Sequence, residues 1–260
     1  MTAVGPYLKN QPNSKFLVTS LLISGVATFI VNILALIFSD FWSNMLVGKA
    51  VFSLSLTFQD TMWFISFLGV MQIIARRKVQ LKVASFKSHA YLPEDFQTII
   101  DDTVMTEIIK KAKKDANHEE GILPYMILQI CLQFRTNQSI ALTTDFLSKQ
   151  MELFLHGIEL GYNKLKYIIW LIPSIGFMGT VYGIGLAVSR LGEGSLDDPE
   201  LLTKMAGNLG IAFNTTLLAL ILSVILQFFV QHFEAKEEKI INDYGKYILD
   251  NLINKLIEKK

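Results

Sequence analysis

Thr180 and Thr216 lie in two apolar runs, Tyr167–Val188 and Leu209–Val230, that contain no charge. On a helix, Gly176, Thr180, Gly183 and Ala187 recur at four, three and four residues. Ala212, Thr216, Ala219, Ser223 and Gln227 do so at four, three, four and four. Each run therefore carries one narrow face of small and hydroxyl side chains. Such faces have an ordinary use, because membrane helices pack backbone to backbone where side chains are small. They also permit chemistry. At about 1.5 Å per residue, both hydroxyls come out about 20 Å from the same end of their runs. Several copies around an axis would bring them into one polar ring, a candidate ion-handling site.

Asp60, preceded by Gln59, is the one ionisable residue well inside an apolar run. An acid there is costly and turns to the bundle interior. Its depth, about 22 Å, is close to the 24 Å or so of Asn32 on the first run. Two readings stand: a hydrogen bond between Asn32 and a protonated Asp60, or a second proton- or sodium-binding group. Elsewhere catalytic constellations are missing. The four histidines, His89, His118, His156 and His232, have no ligand spacing, so no metal or other cofactor is expected. "GEGS" lacks a phosphate-loop lysine and "GIGLAV" a third dinucleotide glycine. No nucleophile–base signature is present, and the sequence is not that of an enzyme. Single Cys131 excludes an internal disulfide framework.

The elements that hold these residues follow from the hydropathy. Four runs reach bilayer length, which takes about 20 residues: Phe16–Phe38, Ala50–Ala75, Tyr167–Val188 and Leu209–Val230. The 260 residues are 51% hydrophobic and carry a net charge of +1, which gives no reason to expect nucleic acid. Of 24 Lys and Arg, 13 lie between spans two and three, six follow span four, and Lys9 and Lys15 precede span one. Arg76-Arg77-Lys78 is the strongest marker. Basic residues stay inside, so both termini and residues 76–166 are expected in the cytoplasm.

The expected fold is all-α, with four transmembrane helices, two of them extended into the cytoplasm, and a helical cytoplasmic region between spans two and three. In order, these are an N-terminal arm (1–15), spans one and two (16–75), the cytoplasmic region (76–166), spans three and four as the core (167–230) and a C-terminal helix (231–260). Leu147, Met151, Phe154, Ile158 and Leu165 form a helical stripe leading into span three; Ile241, Tyr244, Ile248 and Leu252 continue span four. The segment from Pro93 to Gly121 reads as a helix with acids early and lysines late, as the helix dipole favours. Its "KKAKK" is a solvated helix end or a contact for lipid headgroups or an acidic partner.

"GFMGTVYGI" (Gly176–Ile184) resembles the "LLGTVWGI" segment of the MotA/TolQ/ExbB proton channel family. "AFNTTLLAL" (Ala212–Leu220) is similar to the segment that follows it there. Ala219 stands where the family usually has glycine, and the proline common near the inner end of the last span is replaced by Val224-Ile225. The resemblance implies a homopentamer in the lipid of the bacterial inner membrane, around a dimer of a single-span MotB/TolR/ExbD-like partner carrying a protonatable aspartate. It further implies that Thr180 and Thr216 face that aspartate, with Gly176, Gly183, Ala187, Ala212, Ala219 and Ser223 on the same faces. Protons, or sodium, would then drive rotation. The alternative is a non-conducting membrane scaffold that docks a cytoplasmic partner through its long helices.

Overall fold

The computed structural model describes residues 14–35, 45–47, 57–95, 98–118, 121–192 and 199–257. They are helical almost throughout: α1 (Ser14–Ala35), α2 (Phe58–Ser85), α3 (Asp102–Asp115), α4 (Ile122–Asn137), α5 (Ile140–Ser189) and α6 (Pro199–Asn251). Short 3-10 turns follow α2, α5 and α6. Helices α1, α2, α5 and α6 are long and apolar enough to cross a membrane. The chain is a multi-pass, all-α membrane protein. The arm 1–13, the end of span one and the first residues of span two lie outside the described residues, as does 193–198.

The chain divides into two compact units. One takes in Pro12–Ile74 and Lys164–Gln231. Its helices are inside out by the standard of a soluble protein. On α1, Leu22, Val26 and Phe29 are exposed, whereas Ser20, Ser24 and Thr28 are buried. The Ser24 and Thr28 hydroxyls donate to the carbonyls four residues back, at 2.7 and 2.9 Å. With lipid outside, apolar side chains gain nothing by turning inward, and polar ones must be satisfied. On α2 the buried row is Gln59, Met62, Ser66, Gly69 and Ile73, at helical spacing. A Cβ at Gly69 would lie 2.9 Å from Leu226 of α6 and 3.4 Å from Ile168 of α5, so the missing side chain lets α2 seat on both. Helix α5 passes through Pro173 without a break.

Span two differs from its expectation at its start. Ahead of α2, Thr57 and Asp60 cap each other: the Thr57 N–H donates to Asp60 (3.0 Å) and the Asp60 N–H to the Thr57 hydroxyl (3.0 Å). This reciprocal pair is a capping box, which ends a helix by satisfying its first free N–H groups. Asp60 thus lies in the first turn of α2 rather than deep inside it. The residues from Ala50 to Leu56 lie outside the described residues.

The other unit takes in Ala75–Asn163 and His232–Lys260, with Met1–Gln11 outside the described residues. Its core gathers Met105, Ile108, Met126, Ile127 and Ile130 of the packed pair α3 and α4, with Ile158 of α5, Ile241 and Ile248 of α6, and Leu252 just after it. Cys131 is buried there, and desolvation pushes its thiol up to about 12. Both expected stripes point inward, except that Met151 is only partly buried. Helix α3 begins only at Asp102, and the described residues 93–95 and 98–101 ahead of it are not helical. Asp101 is the N-cap, its carboxylate accepting from the N–H groups of Thr103 (3.1 Å) and Val104 (2.9 Å), a stronger start signal than the acids beside Pro93. The residues before it are tied to the C-terminus instead. Ile100 N–H donates to the Lys255 carbonyl (3.0 Å), and Lys255 Nζ donates to the carbonyls of Pro93 and Asp95, both at 2.6 Å.

Candidate functional site

In α5 and α6 the small faces meet each other. A Cβ at Gly176 would stand 2.3 Å from the Ala219 Cβ, one at Gly179 2.8 Å from the Thr215 hydroxyl, and one at Gly183 2.9 Å from the Ala212 Cβ and N. As residue numbers rise on α5 they fall on α6, so the helices run antiparallel with backbones in contact. The resemblance implies that Gly176, Gly183, Ala187, Ala212, Ala219 and Ser223 lie on faces turned to a foreign helix. Here Gly176, Gly183, Ala212 and Ala219 are covered by the neighbouring helix of the same chain, and Ala187 and Ser223 are buried. The first four contacts are those of ordinary small-residue packing within one chain.

The two threonines differ from them. Both are half-buried, and their hydroxyls touch each other. Thr180 Oγ1 also reaches the carbonyls of Gly176 (3.2 Å) and Ala212 (3.1 Å), and Thr216 Oγ1 reaches that of Ala212 (3.2 Å). A hydroxyl has one proton and two lone pairs. The pair can direct one proton from Thr to Thr and the other to the Ala212 carbonyl, keeping lone pairs for an incoming acid. Rotating one hydroxyl turns it into a donor to a carboxylate. The arrangement therefore suits a group that alternates between protonated and charged forms, at the edge of a contact too close to admit a larger side chain.

Asp60 and Asn32 form a second polar knot. Asn32 Nδ2 donates to Asp60 Oδ1 at 2.7 Å and to the Thr28 carbonyl at 3.1 Å, while Asp60 Oδ2 accepts from the Thr57 N–H and hydroxyl, 3.0 and 2.7 Å. Both carboxyl oxygens are occupied. Asp60→Leu leaves the Thr57 N–H and one of the two Asn32 amide hydrogens without an acceptor, at about 1–3 kcal/mol for each buried group. A loss of about 2–4 kcal/mol is expected in detergent unfolding, with the Asn32→Leu/Asp60→Leu double variant losing less than the sum of the singles. Neighbouring Gln59 is buried, and its Nε2 has no partner among the described residues.

Sequence reasoning passed over three contributors. Thr215, fully buried against Gly179, is one residue from the threonine it singled out, and its four-residue step to Ala219 was the available signal. Thr57 was readable from "TFQD", a Thr three residues ahead of an acid. The third is a charged cluster in the other unit. Arg76 of α2 pairs with Glu237 of α6 (Nη2–Oε2 2.9 Å), and its guanidinium lies 4.0 Å over the ring of Tyr162 of α5. The Tyr162 hydroxyl donates to Glu237 Oε1 at 3.0 Å. Burial, then the Glu237 charge, holds the Tyr162 phenol above its ordinary value, so it stays a donor. No periodicity links residues 161 apart. Among the described residues no group of three or more His, Cys, Asp and Glu side chains is disposed to hold a metal.

With this geometry in view, the profile of the MotA/TolQ/ExbB proton channel family matches residues 94–246, more than half of the chain. The match spans the whole α5–α6 contact, including both threonines. The chain belongs to the MotA/TolQ/ExbB proton channel family, a class of membrane channel subunits. No curated protein and no solved structure matches it.

Proposed function

We propose that this chain is the ring-forming ion-channel subunit of a proton-motive-force-driven rotary motor in the bacterial inner membrane. Five copies surround a dimer of a single-span MotB/TolR/ExbD-like partner, whose aspartate carries the proton past Thr180 and Thr216. Both termini and residues 76–166 face the cytoplasm. The observation that carries this reading is the meeting of two half-buried hydroxyls on antiparallel spans. A carboxylate is costly in hydrocarbon, and fixed hydroxyl donors lower that cost. The same pair accepts from the neutral acid, so the partner is held in both protonation states. Family membership supports the channel class and a single-span partner. Asp60 and Asn32 act in this reading as a pin between the first two spans, because their side chains bond across them at 2.7 Å.

The test is co-expression with a single-span MotB/TolR/ExbD-like protein from the same genome, followed by native mass spectrometry and proton flux in vesicles. A five-to-two complex that conducts is expected. A complex that forms but passes no protons under an imposed gradient would favour the scaffold, and a monomer would end the ring.

A further inference from the structure

Helix α2 presents three basic residues in a row, Arg76, Arg77 and Lys78, and only the first turns inward. Its inward row in the Ala75–Asn163 and His232–Lys260 unit is Arg76, Gln80 and Val83. Arg76 enters a place made for it. Glu237 is 2% exposed, Tyr162 is fully buried, and residue 161 is a glycine whose absent Cβ would lie 2.2 Å from the Arg76 Nη1. An alanine there would stand where the guanidinium lies.

A buried ion pair is a poor way to gain stability, since well-packed apolar residues of similar size do as well or better. Its best-attested use is to fix register. Register is a real problem for α2. Apolar contacts are non-directional, and helix ridges repeat every three or four residues, so a helix displaced by one turn can pack again. A fork of N–H donors cannot: it meets a carboxylate at one position along the axis. The Tyr244 hydroxyl of α6 donates to the Val83 carbonyl of α2, a second contact that one turn of slip would break.

We propose that Arg76, Tyr162 and Glu237, with the gap at Gly161, form a register lock that sets the axial position of α2 against α5 and α6 in this unit. Arg76 and Glu237 are positioning residues. Their role does not depend on the ring or on its partner.

The test uses the full chain in detergent, with spin labels at Lys78→Cys on α2 and Lys239→Cys on α6. Both sites are exposed, and an excess of unlabelled chain suppresses distances between copies. Buried Cys131 stays unlabelled. The parent should give one narrow distance. Arg76→Met/Glu237→Met, made with Tyr162→Phe so that no buried hydroxyl loses its acceptor, should unfold within about 3 °C of it yet show a second distance population, displaced by about one turn, about 5 Å. Gly161→Ala should show the same second population. It should also fail to raise the unfolding temperature, although alanine is the better helix former. One narrow distance in both variants, a raised unfolding temperature in Gly161→Ala, or failure of the triple variant to fold would each overturn the proposal. Failure to fold would mean that the pair supplies stability rather than register.

Discussion

Thr180→Val and Thr216→Val should each lower proton flux through the assembled complex by about 10- to 100-fold while leaving assembly intact. Valine keeps the branched shape and removes one hydroxyl. A hydrogen bond to a charged group contributes about 1.5–3 kcal/mol, and in the proposed channel that bond would act on the charged form of the partner acid. The folded chain loses little. In Thr180→Val the Thr216 hydroxyl keeps the Ala212 carbonyl at 3.2 Å, and in Thr216→Val the Thr180 hydroxyl keeps it at 3.1 Å. The double variant should lose less than the product of the two single effects, because the hydroxyls touch and act as a unit. Vesicle flux measured with a pH-sensitive dye, beside native mass spectrometry of the same samples, reads both quantities. Flux at the parent level in both single variants would remove the hydroxyls from the ion path.

Gly176→Ala should weaken the α5–α6 contact by about 1–3 kcal/mol, the range for overpacking a tight interior. The added methyl would stand 2.3 Å from the Ala219 Cβ and 3.2 Å from the Thr215 carbonyl oxygen. Neither neighbour can rotate away, since both are fixed to backbone. The helices must part, which also stretches the reach of Thr180 to the Ala212 carbonyl. Ala219→Gly, introduced with Gly176→Ala, moves the methyl from one helix to the other and should restore most of the loss. Thermal unfolding of the four variants in detergent forms a double-mutant cycle. Additive effects would show that these two residues do not touch. Gly176 supplies the space that the Ala219 methyl fills.

How far the sequence could be read depends on the kind of interaction. The spans were legible because hydropathy accumulates over 20 residues, and the inward stripes of α5 and α6 because helical spacing repeats. The Asn32–Asp60 bond followed from two polar residues at one depth in neighbouring spans, where few other partners exist. Helix starts were harder. Pro93 with two acids looked like the start of α3, yet Asp101 provides the cap, and "TFQD" shortens α2 inside a continuous apolar run. Small-residue faces were visible as faces, but not what lay opposite. Gly176, Gly183, Ala212 and Ala219 could serve a foreign helix or their own chain equally well in one dimension. Arg76 was the least legible, because in a basic triplet it has the look of a topology marker, and its partner lies on a distant helix.

The back-bonded hydroxyls of α1 bear on how the protein is made. Ser24 and Thr28 give their protons to carbonyls of the same helix, as Ser20 does to Leu17 at 2.8 Å. From Thr19 to Thr28 a newly synthesised α1 therefore meets its hydroxyl donors by itself, which suits a helix that enters the bilayer before the rest of the chain exists. Asn32 alone has an amide hydrogen still waiting, and its acceptor arrives only with the segment that follows. The order of biogenesis is written into which protons a helix can satisfy by itself.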